Sequence, residues 1–123
     1  MKNILIITLL AMPSIGYASS RALDYCAAVE SWAAQKTIDS FVNKNQELDP
    51  QRATSSLLVR TALKDKRVPV MLGDWGQLYT QTIKITIPFV GNKKPPMTVI
   101  ASAIISAEEC SLSEPSFIEI SNQ

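Results

Sequence analysis

The chain of 123 residues has no histidine. That absence removes the commonest general base, the usual partner of a nucleophilic serine or cysteine, and the commonest metal ligand. Triad hydrolysis is excluded, and an enzyme would have to work with carboxylates alone, as glycosidases do. Glycine is also scarce, with only Gly16, Gly73, Gly76 and Gly91. No G-x-G-x-x-G or P-loop pattern can be built from these, so no nucleotide cofactor is expected. The two cysteines lack C-x-x-C spacing, and two thiols without histidine make a poor metal site. The sequence therefore predicts no catalytic set, no metal and no cofactor: a protein that is not an enzyme.

An excess of one charge is missing as well, since 12 basic residues face 11 acidic ones. Nucleic-acid binding rests on clustered Lys and Arg that neutralise phosphates, and a polybasic membrane-surface protein needs the same clusters. Neither partner fits this balance. After residue 18 no apolar run approaches the roughly 20 residues of a spanning helix, so no integral membrane segment is expected in the mature chain.

What is present begins at the N-terminus. Lys2 supplies a positive charge, Ile4 to Met12 form an almost unbroken apolar run, and Gly16 and Ala18 stand at −3 and −1 of a small-residue site. This pattern predicts a secretory signal peptide over residues 1–18, cleaved before Ser19. The mature chain then spans 19–123 as one exported domain, periplasmic or secreted. Lys2 leaves with the signal, so the mature formal charge is zero.

In an oxidising compartment the even pair Cys26 and Cys110 is most simply one disulfide. It would close a loop of most of the domain, for which chain entropy gives about 4–5 kcal/mol at most. For so short a chain, that decides whether a fold is stable.

Apolar residues from Arg21 to about Asn43 follow a helical period without Gly or Pro, with Ser19 or Ser20 as cap. Leu23, Cys26, Ala27, Ala34, Ile38 and Phe41 share the expected core face, with Glu30 and Thr37 among them. Tyr25, Ala28, Val29 and Trp32 form a second stripe on roughly the opposite side. Arg52 to Asp65 carries two patterns: a short helix capped by Asp49 with Pro50 at its first position, and a strand, favoured by Val59 and Thr61. Val68 to Leu72 holds Pro69 and suits only a short edge segment. Leu78 to Phe89 alternates cleanly, with Tyr79, Ile83, Ile85, Ile87 and Phe89 on the dry side. Met97 to Ala107 is apolar on both faces, as a central strand is, and Ser116 to Ser121 is a terminal strand. The fold class expected is α+β: an N-terminal helix packed on a three- to five-stranded antiparallel sheet, with one disulfide. In outline this resembles the general cystatin-like layout, without a motif of that family.

Four acids merit attention. Glu30 is predicted on the apolar helix face, Asp74 in a glycine-flanked turn, and Glu108 and Glu109 on opposite faces of a strand end. Trp75, between Gly73 and Gly76, is a potential interface anchor. The basic tips at Lys64, Lys66, Arg67 and at Lys93, Lys94 would form an acidic-ligand patch if they met at one end of the sheet. The leading expectation is a small exported binding module, such as an inhibitor, an immunity protein or an envelope-assembly accessory. It would meet another exported or envelope protein through Tyr25, Val29, Trp32 and Trp75. The rival expectation is a carrier holding an apolar or lipid-like ligand in a pocket of Leu23, Ile38, Phe41, Ile83, Ile85 and Val99.

Overall fold

The computed structural model describes residues 22–121. The predicted signal peptide, its cleavage site and the Ser19 or Ser20 cap lie outside them.

The described residues form six strands: β1 (Thr54–Ala62), β2 (Lys64–Asp65), β3 (Val68–Pro69), β4 (Tyr79–Ile87), β5 (Met97–Ile105) and β6 (Ser116–Glu119). One sheet has the order β1-β4-β5-β6, antiparallel throughout, and β2 and β3 form a separate two-stranded ribbon. With one main helix, α1 (Trp32–Lys44), this is the expected α+β fold.

The alternation of β4 puts Gln81, Ile83, Ile85 and Ile87 inside. On β5, Met97, Val99, Ala101, Ala103 and Ile105 do the same. Against this face α1 lays Ala34 and Ile38, together with Thr37, whose hydroxyl donates to the Ala33 carbonyl at 2.8 Å. Each fully buried Ile contributes about 1.5–3 kcal/mol, so this two-layer contact is the main source of stability. A second small cluster of Leu23, Cys26 and Ile105 sits at one end, with Tyr79 and Cys110 against it. β5 is central, as its two apolar faces require.

The segment 52–65 resolves in favour of the strand, yet the cap signal is also used. Asp49 accepts from the Gln51 amide and starts a single 3₁₀ turn, Pro50–Arg52, just before β1. β1 itself is an edge strand with a bulge between Leu57 and Val59.

The expected continuous helix from Arg21 is corrected. Residues 22–25 are helical, residues 26–31 form turns, and the helix restarts at Trp32 behind Ser31. The physical reason lies in the sheet. The Leu23 carbonyl accepts from Arg60, the Cys26 carbonyl from Gln81 and the Ala27 carbonyl from Ser55. Those oxygens would otherwise take part in the helical ladder, and bonds from the amides of Cys26, Ala27, Ala28 and Ser31 to the carbonyl three residues back replace it.

Between β1 and β4 the chain forms an arm over residues 63–78. Hydrogen bonds among Leu63, Val70 and Leu78 close its base. Lys66 and Arg67 make its two-residue turn with φ of 49° and 70°, the conformation that a tight hairpin demands and that Asn or Gly usually supplies. Farther along, Met71 bridges to Gln77 around the 3₁₀ turn Gly73–Trp75.

Candidate functional site

Cys26 and Cys110 are bonded, with 5.3 Å between their Cα atoms. The bridge ties the turn after residues 22–25 to the β5–β6 connection, so two segments separated by 84 positions become neighbours. Between them opens a cleft of about 610 Å³. Tyr25 and Trp32 stand in its walls with Ala22 and Gln35, and residues 107–110 complete it.

The cleft has a definite charge. Glu30, Glu108 and Glu109 all line it, and among the described residues no basic side chain does. The Ser111 hydroxyl donates to Glu109 at 2.7 Å and its amide at 3.2 Å, which holds that carboxyl below the ordinary glutamate range. Glu109 is therefore ionised throughout the neutral range. Just outside, Lys36 lies 5.3 Å from the Trp32 ring centroid and 3.7 Å from Glu114. The indole thus already stacks with one cation, at a distance where the ring quadrupole attracts it.

The backbone of the cleft is held from the sheet side. Gln81 is 2% exposed; its amide nitrogen donates to the Cys26 carbonyl at 2.9 Å, and its oxygen accepts from Arg60 at 2.9 and 3.1 Å. Arg60 also reaches the Leu23 carbonyl and Asp24. Gln35 closes the turn from the helix side by donating to the Val29 carbonyl at 2.7 Å.

Of the four residues expected to contact a partner, the structure brings Tyr25 and Trp32 into one cleft. Val29 instead packs on the core, and Trp75 sits on the arm, half-exposed and outside the cleft lining. The acids also move. Glu30 is exposed in the break before α1 and not on its apolar face. Glu108 and Glu109 lie in a loop beyond β5, which lets both line the same cleft. Asp74 remains exposed on the arm. The strand register sets the basic tip of the arm beyond the Ala62/Tyr79 end and Lys93 and Lys94 beyond the Ile87/Met97 end. The two tips cannot share a ligand. Leu23, Ile38, Ile83, Ile85 and Val99 fill the two core clusters, with Phe41 against one of them, and none lines the cleft.

The residue that sequence reasoning missed is Gln81. Its signal was a polar side chain at an inward position of the driest strand, which must be bonded to something when buried. Among the described residues no helix is long and apolar enough to cross a membrane, and no group of three or more His, Cys, Asp or Glu is placed to hold a metal ion.

Fold and site together define a disulfide-bridged α+β domain with an acidic, aromatic-walled cleft. Comparison with protein-family models, curated proteins and solved structures finds no match for this chain.

Proposed function

We propose that this is an exported, non-enzymatic module that binds another exported or envelope protein, as an inhibitor, an immunity protein or an assembly accessory does. The observation that carries the reading is the cleft. Two aromatic side chains, Tyr25 and Trp32, share its lining with three carboxylates, and no basic residue lines it among the described residues. Aromatic walls supply contact area at low entropy cost, and carboxylates beside them suit a Lys or Arg side chain of the partner. The bonds from Gln81 and Arg60 support a preformed surface, which lowers the cost of binding.

The test is affinity purification of the tagged protein from an envelope extract, in parallel with its variants. Wild type and Trp75→Ala should retain one defined partner, whereas Tyr25→Ala/Trp32→Ala and Glu30→Lys/Glu108→Lys should lose it. Retention by the cleft variants, or a co-purifying small apolar ligand in place of a protein, contradicts the proposal.

A further inference from the structure

The two halves of the disulfide are not equally accessible. Cys26 is 0% exposed, enclosed with Leu23 and Ile105, whereas Cys110 is half-buried and lines the cleft. Exchange requires a thiolate to reach one sulfur along the axis of the bridge, so access decides which sulfur is attacked. We propose that Cys110 is the site at which the folded protein undergoes thiol exchange, and that its cleft selects cationic thiols over anionic ones.

The step balances without an external oxidant. The incoming thiolate bonds to Cys110 Sγ, the bond to Cys26 Sγ breaks, and the electron pair leaves on Cys26 as a thiolate that takes a proton from water. One disulfide replaces another. Cys26 departs into apolar surroundings, which disfavour its thiolate and make it a poor leaving group. Attack is therefore slow, and the mixed disulfide must be captured by a rapid acid quench.

Charge selection follows from the lining. Glu30, Glu108 and Glu109 line the same cleft as Cys110, so a like-charged attacker is depleted there while an amine-bearing one is enriched. The same chemistry would favour a thiol oxidoreductase with a basic rim over one with an acidic rim. None of this requires a protein partner to occupy the cleft.

The folded protein would be treated separately with cysteamine, 2-mercaptoethanol and glutathione in mildly alkaline buffer, quenched with acid and analysed by intact mass and peptide mapping. The expected adduct is on the Cys110 peptide. Rates per thiolate, corrected for the nucleophilicity that rises with thiol pKa, should fall from cysteamine to 2-mercaptoethanol to glutathione, over about tenfold from first to last. High salt should compress that range, as should Glu30→Gln/Glu108→Gln, because both remove the same electrostatic bias. Adducts on Cys26, equal rates per thiolate, no adduct at any thiol concentration, or exchange that tracks global unfolding in urea would each overturn the proposal.

Discussion

Tyr25 and Trp75 are both aromatic, both exposed, at 58% and 43%, and both near the Ala62/Tyr79/Ile105 end of the sheet, yet their surroundings differ in kind. The short helical segment that carries Tyr25 and the turn after it are tied to the β5–β6 connection by a covalent bridge and to β1 and β4 by the side chains of Ser55, Arg60 and Gln81. The arm that carries Trp75 is closed by backbone hydrogen bonds, and only Leu78 at its base is buried. An exposed aromatic ring becomes a candidate site when the backbone beneath it is fixed. By that criterion the proposed recognition surface lies in the cleft and not on the arm.

The strongest way to erase the difference is to cut the bridge. Cys26→Ser/Cys110→Ser opens a loop of 84 positions, and the expected loss of stability is up to about 4–5 kcal/mol by urea denaturation. A variant as stable as wild type would mean that the hydrophobic contact between α1 and the sheet holds the N-terminal turn unaided.

A smaller effect should separate the two regions directly. Gln81→Leu strips partners from the Cys26 carbonyl and from Arg60, and it should cost about 1–3 kcal/mol. Trp75→Ala on the arm should stay within about 0.5 kcal/mol of wild type. Comparable losses for the two substitutions would show that the arm is as firmly integrated as the cleft.

The smallest effect is electrostatic. The Ser111 hydroxyl, then its amide, lower the Glu109 pKa in the folded protein below the ordinary 4.5. A lowered carboxylate pKa contributes stability that is present above the unfolded value and is lost as pH falls through the folded one. Stability should thus decline below about pH 4.5, and Ser111→Ala should make that decline shallower. Asp49, lowered from 3.8 chiefly by its bond to Arg52, acts in the same direction at somewhat lower pH. An unchanged acid limb in Ser111→Ala would remove Glu109 from the account.

Much of the fold could be read from local pattern because its causes are local. The alternation of β4, the two apolar faces of β5 and the Asp49-Pro50 pair each act within a few residues, and each is realised. The break at residues 26–31 was hidden because the groups that cause it, Ser55, Arg60 and Gln81, lie 28 to 55 positions away. The arm turn was only partly visible, since Lys66 and Arg67 adopt positive φ without the Gly or Asn that normally signals it. Of the cleft, the sequence exposed its parts: two aromatics, three acids and a cysteine pair. Their meeting depends on the bridge and on Gln81, and neither places Glu30 beside Glu108 in any way that spacing reveals.

The most direct test of the central claim is site-specific photo-crosslinking in cells that express the full chain, with a photoreactive phenylalanine at position 25 or at position 75. A single defined adduct should form from position 25 and disappear when Glu30→Lys/Glu108→Lys is added, with none from position 75. Adducts from position 75 alone, or from position 25 regardless of the cleft charges, would contradict the account.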